Sequence, residues 1–217
     1  NCNRLYFTGG EPTIIQRVYW ILEKCVELGI NDNIDLVFNS NMTNIQPRFL
    51  DLIAKFKSVL MCLSVDGYST TNEYIRSGST WSIVDKHIRD YATSEVVGNL
   101  LFSPVVQIYN ILDVTDLIDY AERIQKETGR RIDISFLLNN YPKCLDIRNL
   151  PQHVRDAAIE HLETWSATST YFAEDERNKQ TVLGLIKALK ENYNEDSEQQ
   201  MQIFKEYTEL LDKKRNQ

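Results

Sequence analysis

The chain has 217 residues and a formal net charge of −7 at pH 7, with 42% hydrophobic and 25% charged residues. These values are typical of a globular protein with a substantial core. The acidic balance and the scattered basic residues argue against a nucleic-acid-binding surface. No apolar run approaches the roughly 20 residues that a membrane span requires, which argues against a membrane protein. The N-terminus does not resemble a signal peptide, and the four cysteines form no CxxC pair, so we expect reduced thiols and a cytoplasmic protein.

The first two thirds of the chain alternate short apolar strands with amphipathic helices. Strands are predicted over 5–7, 34–38, 59–65, 100–108 and 132–138; helices are predicted over 14–28, 48–56, 81–91 and 114–128, with one helical turn at 70–75. This alternation is typical of a parallel sheet with right-handed crossovers. We therefore predict an α/β fold, a partial TIM-like (β/α) barrel of parallel strands over residues 1–150. Five strands are too few to close a barrel, and we expect a first strand–helix unit to be missing before residue 1.

After residue 150 the pattern predicts helices and no further strand. The predicted helices cover 151–165, 180–193 and 197–215, and polar segments at 166–170 and 192–198 separate them. We interpret residues 151–217 as a helical C-terminal extension of the barrel.

Polar residues follow the predicted strands, where parallel α/β folds bind their ligands. They include the groups Gly9-Gly10-Glu11, Ser40-Asn41, Ser64-Val65-Asp66 and Tyr109-Asn110. Adjacent glycines let the backbone approach a ligand closely, and a carboxylate accepts hydrogen bonds from an ammonium group. Amides and hydroxyls suit a ribose, and Arg76 can bind a carboxylate in a bidentate manner. The set predicts a ligand that joins an amino acid to a nucleoside.

Other common sites are not indicated. The three histidines, His87, His153 and His161, lie in predicted helices away from the strand ends, which argues against a Ser-His-Asp triad or a histidine metal site. Neither GxGxxG nor GxxxxGK[ST] occurs, so a dinucleotide fold and a P-loop are not supported. We assign no metal ligand in this chain and no catalytic residue.

A family resemblance rests on motifs that occur in order at the predicted strand ends. They are Thr8-Gly9-Gly10-Glu11-Pro12, Ser40-Asn41, Ser64-Val65-Asp66-Gly67 and Asn72-Glu73-Tyr74-Ile75-Arg76, with Trp81 shortly after. On these motifs, residues 4 to about 150 resemble a radical S-adenosylmethionine (radical SAM) enzyme. The chain looks most like the branch in which a twitch or SPASM extension follows the partial barrel.

The resemblance implies roles for these residues. Gly9, Gly10 and Glu11 would hold the methionyl amino group of SAM, and Arg76 its carboxylate. Residues near the ribose or the methionyl part would be Ser40, Asn41, Ser64 and Asp66, with Tyr109 and Asn110 close to the adenosine. A reduced [4Fe–4S] cluster would cleave SAM to a 5′-deoxyadenosyl radical that abstracts hydrogen from the substrate. The resemblance also implies an electron donor such as flavodoxin or ferredoxin, and it makes a peptide the expected substrate class.

The chain departs from the family at the cluster motif. Three cysteines in a CxxxCxxC motif hold the family's cluster, and this motif does not occur here; we expect it upstream of residue 1. Cys2 stands alone and cannot replace it. We therefore expect a fragment that is inactive as written. Two alternatives stay open: a catalytically dead module that binds SAM or a partner, and an unrelated α/β-barrel enzyme that uses Glu11 and Asp66 as acid and base.

Overall fold

The computed structural model describes residues 2–191 and 195–215. Seven strands lie in this part of the chain: β1 (Arg4–Phe7), β2 (Asp35–Ser40), β3 (Ser58–Leu63), β4 (Asn99–Phe102), β5 (Val105–Val106), β6 (Ile132–Ile134) and β7 (Leu137–Leu138). The helices there are α1 (Gln16–Glu27), α2 (Pro47–Ile53), α3 (Thr70–Ile75), α4 (Trp81–Thr93), α5 (Val114–Thr128), α6 (Gln152–Ser166), α7 (Thr170–Glu174), α8 (Glu176–Lys190) and α9 (Ser197–Arg215). None of them combines the length and the apolar character needed to cross a bilayer.

The central sheet is parallel and has five strands in the order β1-β2-β3-β4-β6. In its register, Phe7 pairs with Phe38 and Phe38 with Met61, while Leu63 pairs with Phe102 on the other side of β3. Helices connect the successive strands of this sheet, as parallel pairing requires. The predicted α/β class, a partial β/α barrel followed by a helical C-terminal part, is confirmed.

The two faces of the sheet differ in burial. On one face, Phe38 and Phe102 are fully buried and pack edge-on against Phe49 of α2 and Tyr120 of α5. On the opposite face, Tyr6 is 56% exposed, and the half-buried residues there include Asn39, Leu60 and Leu101. The apolar core therefore lies between the sheet and its helices, as in a β/α barrel whose second face lines the interior.

Two predicted strands are each divided in the structure. Residues 100–108 form β4 and β5, separated at Pro104, because a proline has no N–H to donate to the ladder. Residues 132–138 form β6 and β7, although no proline lies between these two strands. The short strands β5 and β7 pair with each other in a separate parallel sheet, in which Val105 lies opposite Leu137.

The chain divides into two compact units. The first comprises Asn1–Pro104 and Leu117–Ser135 and contains the five-stranded sheet. The second comprises Val105–Asp116 and Phe136–Gln217. In the second unit, α8 packs against α6 and α7. The predicted boundary near residue 150 stays a prediction.

The C-terminal helices agree with the sequence pattern in part. Helix α9 begins at Ser197 and ends at Arg215, as predicted, whereas α8 begins at Glu176, four residues before the prediction. The reason is local, since the Asp175 carboxylate accepts a hydrogen bond from Arg177 N (2.8 Å) and caps the helix. The predicted end of this helix, at residue 193, lies outside the described residues. The short α7, capped by Ser169, was not predicted.

Candidate functional site

The turn after β1 places Glu11 in a buried position. Gly9 and Gly10 have φ angles of +82° and +61°, in the left-handed region that glycine adopts without strain. Pro12 then begins a 3₁₀ turn, Pro12–Ile14, and the Glu11 carboxylate caps it. Its Oε1 atom accepts hydrogen bonds from Thr13 Oγ1 (2.8 Å) and Thr13 N (3.3 Å). The glycine pair therefore positions a carboxylate that the fold itself uses.

The same carboxylate also contacts the loop after β2. Glu11 Oε2 accepts a hydrogen bond from Asn41 N (2.8 Å), and Glu11 is only 8% exposed. A carboxylate offers about four acceptor positions, so these three donors leave room for one more. Glu11 can therefore both order the loop and accept a hydrogen bond from a ligand ammonium group.

Residues 40–44, which we call the β2 loop, are ordered by side chain to backbone hydrogen bonds. The Ser40 hydroxyl accepts from Met42 N (3.1 Å), and Asn41 Oδ1 accepts from Thr43 N (3.0 Å) and Thr43 Oγ1 (2.6 Å). Asn44 O lies 2.9 Å from Thr13 Oγ1, so it shares with Glu11 Oε1 the single hydrogen of that hydroxyl. Hydroxyl and amide side chains favour such local turns. Hydrogen bonds within the protein therefore hold the loop.

The loop after β3 carries an ion pair. Asp66, 5% exposed, lies with Oδ2 2.8 Å from Arg76 Nε, although the N–H vector is poorly aligned for a hydrogen bond. Asp66 N donates to Asn72 Oδ1 (3.0 Å), and the fully buried Asn72 donates through Nδ2 to Ser79 Oγ (3.1 Å). Asn72 thus joins the loop after β3 to the segment that follows Arg76.

Gly67 is required in this loop by close packing. A Cβ atom at this position would lie 2.7 Å from Thr71 Cγ2 and 2.9 Å from Thr71 Cβ. Such distances are shorter than any ordinary carbon–carbon contact, so only glycine lets α3 begin this close to the end of β3.

A half-open pocket of about 430 Å³ lies between the β2 loop and the segment from Ile75 to Ser79. Its lining residues are Asn41, Thr43, Ile75, Arg76, Ser77, Gly78 and Ser79. The volume is within the range of small-molecule sites, and the lining supplies a guanidinium, an amide and several hydroxyls. This chemistry suits a ligand that carries a carboxylate and polar groups.

The structure connects four of the predicted residues. Glu11 accepts a hydrogen bond from Asn41, and Asp66 forms an ion pair with Arg76. Asn41 and Arg76 line the same pocket. Ser40 and Ser64 lie at the carboxyl ends of β2 and β3, where Ser64 N donates to Ser40 O (2.8 Å).

Tyr109 and Asn110 belong to the second unit. The Tyr109 hydroxyl lies 2.6 Å from Thr208 Oγ1, and its ring packs against Phe204 of α9. Asn110, 1% exposed, accepts from Gln107 N and donates to Val105 O. These contacts stabilise the second unit, and a role near adenosine stays a prediction for both residues.

Sequence reasoning missed the contribution of helix α4. His87 was placed away from the strand ends, yet its Nδ1 atom lies 2.7 Å from Met42 O in the β2 loop. The apolar spacing of Val84, Ile88 and Tyr91 could have indicated this contact. It marks the buried face of α4, and His87 falls on the same face of the helix.

Tyr91, one turn further along α4, has a buried hydroxyl. This oxygen has no hydrogen-bond partner among the residues that the structure describes. Burial raises the pKa of Tyr91 well above its usual range, and the charge of Glu11 raises it further. Tyr91 therefore stays neutral in the folded protein.

The described residues do not fit a [4Fe–4S] cluster. Within them no group of three or more His, Cys, Asp or Glu side chains could hold a metal ion. Cys2 is exposed, and burial raises the pKa of the other three thiols, Cys25, Cys62 and Cys144. Neutral thiols are poor ligands for iron, which binds the thiolate form.

The fold is similar to that of known radical SAM enzymes. Native anSMEcpe with bound AdoMet and Cp18Cys peptide matches with a TM-score of 0.51 and 17% identity, over 76% of this chain and 46% of that chain. SuiB from Streptococcus suis matches with a TM-score of 0.50 and 16% identity, over 76% of this chain and 36% of that chain. The chain thus spans less than half the length of either protein. No family model and no curated protein sequence matches it.

Proposed function

We propose that this chain is the SAM-binding core of a radical SAM enzyme, with the amino-acid end of SAM in the pocket between the β2 loop and Arg76. The observation that carries the proposal is the pocket itself, which combines a guanidinium with an amide and three hydroxyls. The fold shared with these enzymes is compatible with this function but does not by itself identify it.

Both charged groups at the amino-acid end of SAM have a suitable partner in the proposal. Arg76 binds the carboxylate, and Asp66 holds the guanidinium in place through the ion pair at 2.8 Å. Glu11 accepts from the ammonium group at its remaining acceptor position, next to the turn formed by Gly9 and Gly10. When bound, SAM would supply the 5′-deoxyadenosyl group on which the family's radical chemistry depends.

The polar residues at the strand ends extend this proposal toward the nucleoside. Asn41 lines the pocket, Ser40 precedes it in the chain, and Ser64 N donates a hydrogen bond to Ser40 O. Tyr109 and Asn110 are proposed to lie near the adenosine.

The cluster segment is a separate part of the proposal. The ligands that the described residues lack would come from a CxxxCxxC segment that precedes β1 and forms the cluster loop of the barrel. Strand β1 pairs only with β2 in the described structure, and its Tyr6 is 56% exposed, so its outer edge can accept another parallel strand. The proposed division is a partial barrel over 1–150 and a twitch-like extension over 151–217. Sequencing the DNA upstream of the Asn1 codon tests the segment directly: an in-frame CxxxCxxC supports it, and a start codon at that point refutes it.

A peptide is the proposed substrate class, with an electron donor of the flavodoxin or ferredoxin type. The support is the neighbour anSMEcpe, whose structure holds both AdoMet and a peptide.

A second candidate is a module that binds SAM or a partner without catalysing a reaction. It is favoured by the absence of a metal-ligand group among the described residues. An acid–base role for Glu11 and Asp66 is less well supported, since both carboxylates already have internal partners.

The decisive experiment is calorimetric titration of the 217-residue chain with SAM and with 5′-methylthioadenosine, which lacks the amino-acid group. We expect SAM to bind more tightly, and R76Q to lower SAM affinity by about 10- to 100-fold, as loss of a charged hydrogen bond predicts. The affinity for 5′-methylthioadenosine should change little, which separates loss of the carboxylate contact from damage to the fold. The exposed Arg17 of α1 provides the matched control, R17Q, which should bind SAM normally. Absence of SAM binding to the unaltered chain would overturn the proposal.

A further inference from the structure

The conformation of Met42 is unusual for its residue type. Met42 has a φ angle of +62°, in the left-handed region, and its side chain is fully buried. This region is uncommon for residues other than glycine, and such a conformation persists only where the surroundings hold it.

Two side chains hold the backbone of Met42. Its N–H donates to the Ser40 hydroxyl (3.1 Å), and its carbonyl oxygen lies 2.7 Å from His87 Nδ1. A carbonyl oxygen can only accept, so His87 Nδ1 must carry the hydrogen. The geometry therefore places a hydrogen on His87 Nδ1 and makes His87 a donor to the β2 loop.

The residues on either side of Met42 line the pocket. Asn41 and Thr43 both contribute to its wall, and the Asn41 N–H is held by Glu11 on one side of the loop. His87 holds the loop from helix α4. A peptide rotation at Met42 would break the His87 contact and move both lining residues, because they share its peptide planes.

We propose that His87 is a positioning residue for SAM: it keeps the β2 loop in the left-handed conformation that presents Asn41 and Thr43 to the ligand. The inference rests on the proposed function. His87 itself does not line the pocket and acts through Met42.

The test compares two His87 variants with a control. Leucine removes the donor, whereas the amide nitrogen of asparagine lies close to the position of histidine Nδ1 and can donate. We expect H87L to weaken SAM binding by about tenfold, as loss of one buried hydrogen bond predicts, and H87N to recover most of the affinity. The exposed His153 of α6 supplies the control H153L, which should bind SAM as the unaltered chain does.

A spectroscopic readout separates positioning from general stability. Nitrogen-15 NMR of the ring at neutral pH should show a hydrogen on Nδ1 of His87, with and without SAM. A ring without this hydrogen, or unchanged SAM affinity in H87L, would overturn the role of His87 while leaving SAM binding intact. Absence of SAM binding to the unaltered chain would overturn the proposed function as well. Equal weakening in H87L and H87N would also refute the role, since a donor at this position would then make no difference.

Discussion

Replacing Glu11 by glutamine tests whether the buried carboxylate organises the site. In the folded protein its two oxygens accept from Thr13 N, Thr13 Oγ1 and Asn41 N. A glutamine side chain has one acceptor oxygen, so its amino group must face either the Thr13 donors or Asn41 N. E11Q therefore loses at least one charge-assisted hydrogen bond and leaves a donor facing a donor.

The magnitude follows from burial. A hydrogen bond to a charged group contributes about 1.5–3 kcal/mol, and an unsatisfied buried donor costs a similar amount. Glu11 is 8% exposed, so solvent screening is small, but Asn41 is only half-buried and water can partly replace its lost partner. We expect E11Q to lower the free energy of unfolding by about 2–4 kcal/mol.

Urea unfolding followed by circular dichroism measures this change. The control is E95Q, because Glu95 is exposed in the loop after α4 and its substitution should change stability by less than about 0.5 kcal/mol. A loss below about 0.5 kcal/mol in E11Q, at an unchanged denaturant slope, would show that the three contacts do not order the loop.

Two further predictions concern packing and alkaline stability. G67A should destabilise the protein by about 1–3 kcal/mol, because its Cβ would lie 2.7 Å from Thr71 Cγ2. The control is G184A, in the open middle of α8, which should stabilise the protein by about 0.5–1 kcal/mol. Both variants are compared by thermal unfolding, and a stabilising effect of G67A would refute the packing argument. Y91F should keep its stability at pH 7, since the hydroxyl that it loses has no hydrogen-bond partner in the described structure. Because burial raises the pKa of Tyr91 in the folded state, the unfolded chain releases this proton first as pH rises above 10, and stability falls. From pH 9 to pH 11 the unaltered protein should therefore lose about 1.4 kcal/mol more than Y91F; equal losses in urea titrations would contradict this assignment.

Much of the architecture could be predicted from local patterns. Alternating strand and helix periodicities predicted the parallel sheet, because each crossover helix must bury an apolar stripe against it. Helix ends with strong local signals, such as that of α5 before Gly129, also came out as predicted. The division of residues 100–108 into β4 and β5 was less visible, because it depends on where Pro104 falls relative to neighbouring strands.

The candidate site could likewise be predicted only in part. The amino-acid sequence by itself determined which polar residues follow each strand, since parallel strands end at one edge and the motif at Gly9-Gly10-Glu11 marks a tight turn. Only the tertiary structure decided how these residues are used. Glu11 orders the β2 loop, Arg76 pairs with Asp66, and His87 reaches Met42 from a helix 45 positions along the chain. Such contacts depend on register and helix packing, which bring together residues that no local pattern relates.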